Sequence, residues 1–503
     1  MVPETLKMHA KLHDSAPPAT GLRHLIDGQL VAGKGEFEIV SPWSEQVVAV
    51  TPRATVDEAQ QAISAARRAF DSGPWPRMLP AERAAVLRRF ADCLNARRDE
   101  FVHIAIHQAG AVHSLATAVQ TDAPLAAAYS YAAAAETFDE VESHTIDGPP
   151  LSGKEGARKI RLVQRTPAGV IVGITPFNYP FRMAVQKVFP ALAVGCTIVL
   201  KPHPTTSWDS ALMAESAIEA GLPDGVLNIL LGAESEVGEA LVSDERVDKI
   251  SFTGSTATGR RIMALAAETI TNVGLELGGK SANIVFADAD LDAFFATDPG
   301  NLKHAGQGCG QLTRVLVERS IYDQVTARIS EEMAQIPLGG PEDPGTGIGP
   351  VANRAQYDRV LEYIKIGRAE GATVLTGGSA SRAHSSGYHI EPTLFTEVTN
   401  DMRIAQEEIF GPVLVAIPFD NADDAIAIAN DSIYGINASV WSTDRVKAWR
   451  VAGALRTGSV GVNCLASVTD GPHGGFKQTS IGREWGRYSL DEYVELRAFE
   501  TRE

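Results

Sequence analysis

Between residues 169 and 277 the chain repeats one pattern, a short β-branched run and then a stretch with helical spacing. The runs are "GVIVGI" (169 to 174), "CTIVLKP" (196 to 202), "VLNILLG" (226 to 232), "KISFTG" (249 to 254) and "NVGLEL" (272 to 277). Strands that alternate with helices can be connected only by crossovers, so they form a parallel sheet with both faces covered. The expected fold is therefore α/β, with a doubly wound sheet at its centre. Ligands of such sheets bind beyond the carboxyl ends of the strands. Those ends read Asn178, Lys201, Gly254, Ser255 and Glu276, the polar and glycine residues a ligand site needs.

After Gly278 a second α/β unit follows, with strand-like "RVLVE", "TVLTG", "PVLVAIPF", "NASVWS" and "GSVGVN". Ahead of the first sheet, Thr55 and Glu58 form a capping box for "VDEAQQAISAARRAF", and Pro80 opens a helical pattern that runs to about Gly110. With 503 residues there is room for two to four domains.

Charge and cysteine usage exclude several function classes. A net charge of −17 repels a phosphate backbone, so no nucleic-acid partner is expected. The four cysteines, Cys93, Cys196, Cys309 and Cys464, lie far apart and form no CxxC pair. Neither a disulfide framework nor a zinc ribbon is implied, and a reducing cytoplasm fits best. The first twenty residues read as a loose tail without a signal-length apolar stretch, and "VFPALAVGCTIVL" is too short to span a bilayer, so no membrane segment is expected.

Three local patterns bear on chemistry. In "FTGSTATGRR" a strand ends and glycines 254 and 259 bracket a helix start, which can set a pyrophosphate on helix N–H groups or simply make a tight turn. It is neither GxGxxG nor GxxxxGK[ST]. In "HAGQGCGQLTR" Cys309 stands among Gly306, Gly308 and Gly310, where a bare backbone would admit a substrate carbon and offer N–H groups to an oxyanion. The competing reading is a small buried hydrophobe. An ordinary thiol, pKa about 8.5, is a few per cent thiolate at neutral pH and a strong nucleophile. In "LELGGKS" Glu276 ends an apolar strand, where burial raises a carboxylate towards the range of a general base; the alternative is a salt bridge to Lys280. His304, near Cys309, leaves a Cys–His pair open. His103 and His107 lack the HExxH context, so no metal is expected.

Taken together, "TPFNYP", "LKPHPTTS", "FTGSTATG", "LELGGKS", "GQGC", "EEIFGP" and "GGFKQTSIGREWG" resemble, in order, the motifs of the NAD(P)-dependent aldehyde dehydrogenase superfamily, from about Gly21 to the carboxyl end. The resemblance implies oxidation of an aldehyde to a carboxylate, through a cysteine thiohemiacetal and thioester, with hydride passing to NAD or NADP, NAD the favoured one. By the same resemblance Cys309 is the nucleophile, Glu276 the general base, Asn178 the side-chain half of the oxyanion hole and Glu484 an aid to proton transfer. Cofactor contacts fall on Thr175, Pro176, Phe177, Lys201, Gly254, Ser255, Leu277, Glu408 and Phe410.

The implied layout is a dinucleotide-binding domain over 21–140 and 164–276, a catalytic domain over 277–478, and an oligomerisation element from 141–163 and 479–503, giving a homodimer or homotetramer. Four positions depart from the pattern: Pro204 where many NAD-preferring relatives have a glutamate, Phe177 for Trp, Gly308 where some have a second cysteine, and Pro299-Gly300 breaking the usual helix before the nucleophile. A coenzyme A-acylating enzyme, a silent structural paralogue and a cysteine hydrolase are the rivals. The first generally lacks the glutamate found at 276. The aldehyde tunnel should draw on 181–186, 301–308 and 464–473.

Overall fold

The computed structural model describes residues 17–138, 141–146, 159–300, 302–382, 384, 386–466 and 470–502. The tail over 1–16, the polar turn over 147–158 and part of the 464–473 stretch lie outside the described residues.

The first sheet has eight strands. Its parallel centre runs Asn272–Glu276, Lys249–Thr253, Val170–Ile174, Thr197–Lys201, Leu227–Ile229, and antiparallel strands close both edges. Alternate residues feed opposite cores: Ile171, Ile198 and Leu200 pack on one side, Val170, Val172 and Val199 on the other. This two-sided burial is why the runs are apolar throughout instead of alternating with polar residues. The order of connection reverses between Val170–Ile174 and Lys249–Thr253, so a crevice opens past Thr175 and Thr253.

The second sheet has seven strands, in the order Thr373–Thr376, Thr393–Thr396, Val413–Phe419, Arg314–Glu318, Ala282–Val285, Asn437–Trp441, Ser459–Val462. All pairs but the first are parallel. Ala282–Val285 and Thr393–Thr396 were not among the expected strands. Their neighbours in the sheet hold them extended.

Other expectations are met or corrected locally. The Thr55–Glu58 capping box is present, with the Thr55 N–H donating to Glu58 Oε2 at 2.8 Å and the Glu58 N–H to Thr55 Oγ1 at 3.3 Å. The pattern from Pro80 is two helices, Pro80–Ala96 and Arg98–Ala109. Arg97 leaves helical backbone geometry between them, and its guanidinium reaches Glu215 and Glu219 of the helix Trp208–Glu219. A third, antiparallel sheet joins Val141–Ile146, Lys159–Pro167 and Val494–Arg502. Just before it, Ser480–Ile481 pair with Leu275 and Glu276 at the edge of the first sheet. No helix among the described residues is long and apolar enough to cross a membrane.

Candidate active site

A cleft of about 920 Å³ lies where the carboxyl ends of the first sheet meet the loops of the second. Asn178, Glu276, Cys309 and Glu484 all line it, as do Pro176, Phe177, Gly254, Ser255, Leu277, Glu408 and Phe410. Thr175 and Lys201 are buried at the same sheet edge, behind the wall.

Asn178 is fixed by neighbours that sequence reading did not supply. Its Nδ2 donates to the Gln307 carbonyl at 2.7 Å, which decides the amide orientation, because that carbonyl can only accept. Its own carbonyl accepts from Gln120 Nε2 at 3.2 Å and His304 Nε2 at 2.7 Å. Gln120 is delivered by a π-helical turn over Ala118–Asp122, an irregularity often found at functional sites. One Nδ2 hydrogen thus faces Gln307 and the other is left for a ligand.

His304 must be the donor to the Asn178 backbone carbonyl, so its Nε2 carries the proton, and burial pushes its pKa down to about 4. Among the described residues no hydrogen bond joins His304 to Cys309, so the Cys–His pair is not formed.

The approach to Cys309 is irregular, as the Pro299-Gly300 pair implies. A short helix ends at Phe295, and His304 and Ala305 then adopt left-handed backbone angles. Gly306 does not clear a path for substrate. It has φ +74 and lies flat on another loop, so that a Cβ would sit 2.0 Å from the Gly411 carbonyl oxygen. Gly308 and Gly310 are the glycines that face the cleft. On the other side Gly279 touches the nucleophile's own loop, and a Cβ there would sit 2.3 Å from the Cys309 carbonyl oxygen.

Electrostatics revise the expected state of the thiol. Burial, with help from the Glu276 and Glu408 carboxylates, pushes Cys309 up to about 12, so without ligands it is a thiol, not a partial thiolate. Glu276 is held well above the usual carboxylate range, first by burial and then by Glu484. Neither of its oxygens has a hydrogen-bond partner among the described residues, and Lys280 Nζ is also unpartnered, so the salt bridge between them does not exist. Lys187, wholly buried, joins Glu484 Oε1 at 2.6 Å and Ser251 Oγ at 3.0 Å. It lies nine residues after Asn178 on the helix Pro180–Ala193, a charged residue inside an apolar face, which is the signal that could have marked it.

The cofactor end is held by the helix Arg354–Ala369. Gln356 Nε2 donates to the Ile409 and Phe410 carbonyls, Arg359 to the Glu408 carbonyl, and Tyr363 to Glu407. Phe410 then meets Phe177 edge to face at 5.8 Å. Glu408 Oε1 accepts from the Gly279 N–H at 3.0 Å. Two features suit a dinucleotide. Among the described residues the hydroxyls of Thr175, just past Val170–Ile174, and of Thr253, at the end of Lys249–Thr253, are buried and unpartnered. Ser255 caps the helix Thr256–Ala266, whose amino end opens into the cleft.

Residues 30–499 match the aldehyde dehydrogenase family, and the chain belongs to it. It is thus an NAD(P)-dependent oxidoreductase acting on aldehydes. It is 38% identical to a geranial dehydrogenase of Castellaniella defragrans over 93% of this chain and 96% of that protein. It is also 38% identical to a chloroplastic betaine aldehyde dehydrogenase of Amaranthus hypochondriacus, over 92% of each chain. Betaine aldehyde dehydrogenase of Staphylococcus aureus, solved with NAD+, superposes with a TM-score of 0.90 at 36% identity, covering 95% of this chain and 94% of that one.

Proposed function

We propose that the chain oxidises its aldehyde hydrolytically, to a free carboxylate, with Cys309 as nucleophile. The observation that carries this is the convergence of Cys309, Asn178, Glu276 and Glu484 on one cleft. As the sulfur attacks the carbonyl carbon, the thiol proton leaves to water in the cleft and the carbonyl oxygen becomes an anion facing the Asn178 amide and the Cys309 N–H. Preorganised donors of this kind lower the barrier without rearranging. Phe177, Phe410, Glu408, Lys201, Ser255, Thr175, Pro176, Gly254 and Leu277 would hold NAD(P)+, which would supply the hydride acceptor. The thioester left on Cys309 is hydrolysed by water that Glu276 deprotonates, and Glu484 with Lys187 carries the proton away.

Glu276 is the reason to prefer water over coenzyme A as the acyl acceptor. NAD is the favoured dinucleotide, as in the solved relative, while Pro204 places no carboxylate against a ribose phosphate, so NADP is also accepted. We assign the dinucleotide-binding, catalytic and oligomerisation regions to the residue ranges given above. Val141, Leu496 and Phe499 lie exposed on the third sheet, which supports a homodimer or homotetramer. A cytoplasmic location fits the unpaired cysteines.

A panel of aldehydes assayed with NAD and with NADP tests the reaction. Cys309→Ala should lower dinucleotide reduction about a thousandfold or more. An unchanged rate would refute covalent catalysis, and a rate that depends on added coenzyme A would favour the acylating alternative.

A further inference from the structure

The aldehyde end of the cleft holds a cation that no carboxylate among the described residues answers. Arg182 is on the first turn of the helix Pro180–Ala193, four residues after Asn178, and lines the cleft beside Tyr179, Cys309 and Trp485. Its guanidinium lies over the Trp485 ring at 4.3 Å, and that ring stacks on His473 at 4.0 Å. Among the described residues no carboxylate pairs with it and no acceptor takes its N–H groups.

The acidic groups nearby are otherwise engaged. Glu484 is bound by Lys187, and neither oxygen of Glu276 has a hydrogen-bond partner among the described residues. His473 is kept neutral, pushed down to about 4 by burial and by the Arg182 charge itself. The Tyr179 hydroxyl, pushed up to about 12 by burial, stays a donor. An arginine that lines a cleft with no counter-charge, held in place by a stacked ring, keeps its planar fork free for a carboxylate.

We propose that the substrate is an aldehyde that carries a carboxylate at its far end, held by Arg182 with the Tyr179 hydroxyl alongside while the carbonyl meets Cys309. This rests on the aldehyde-oxidising reading above and adds the substrate class. It also separates this chain from relatives named for betaine aldehyde, because a trimethylammonium group in the same place would meet a guanidinium.

The test compares glutarate semialdehyde with pentanal, which differ in the carboxylate. The wild-type kcat/KM ratio should favour the semialdehyde by about 10- to 100-fold, the range expected for hydrogen bonds to a charged group. Arg182→Met should collapse that ratio through KM, Arg182→Lys should keep part of it, and Tyr179→Phe should lower it less. Glutarate should slow alkylation of Cys309 by iodoacetamide in the wild type and not in Arg182→Met. A wild-type ratio near one, or a ratio unmoved in Arg182→Met, overturns the inference while leaving aldehyde oxidation standing. If no aldehyde of any kind reduces the dinucleotide, the functional reading falls as well.

Discussion

Glu276 and Cys309 face one cleft, yet they are placed by opposite means. Glu276 is the last residue of a buried parallel strand, and its position follows from sheet register, Thr253 on one side and Ser480 on the other. Cys309 sits on a loop with two consecutive left-handed residues, held by the chain of bonds Gln120–Asn178–His304–Gln307 and by contact with Gly279 and Gly411. A strand end gives a carboxylate a dry and constant environment. A loop lets the nucleophile reach out, provided other side chains fix it.

The contrast can be broken first at the strand. Glu276→Gln should cut steady turnover about 10²- to 10⁴-fold, the usual worth of a general base, while a single burst of hydride transfer persists in stopped flow. Loss of the burst together with turnover would mean that Glu276 is needed before the thioester forms. At the loop, His304→Leu removes the bond that orients Asn178 and should cost about tenfold in kcat, roughly one hydrogen bond, with KM nearly unchanged. A null effect would show that Gln120 and Gln307 suffice.

The smallest effect is the response to pH. Glu276 binds its proton more tightly folded than unfolded, so above the ordinary carboxylate pKa the native state holds the extra proton and stability falls as pH rises. The fall ends once pH exceeds the raised value. Melting of wild type and Glu276→Gln across that window should show a shallower decline in the variant, and turnover limited by thioester hydrolysis should climb as Glu276 ionises. Parallel melting curves would remove Glu276 as the source.

This difference also explains what the sequence could reveal. The five central strands of the first sheet, their carboxyl-end residues and Glu276 were legible because apolar runs and alternation state them directly. Cys309 was recognisable by its glycines, but the wrong work was assigned to Gly306, since which glycine packs and which faces ligand depends on a loop a hundred residues away. Gln120, Lys187 and Arg359 escaped notice, and Arg182 was covered only by the 181–186 tunnel range, because they lie inside helices, where a polar residue on an apolar face looks like any other until the partner element is known. The raised pKa of Cys309 was also hidden, because it comes first from burial and then from two carboxylates, Glu276 and Glu408, on separate segments.

The edge strand Ser480–Ile481 has a consequence for how the enzyme comes into being. Because Glu484 and Trp485 follow it directly, the pocket gains its proton relay and the ring beneath Arg182 only after the strands of both sheets have been synthesised. A nascent chain with its sheets already formed would carry the sulfur without the wall that confines it, so chemical competence arrives in one late step of assembly.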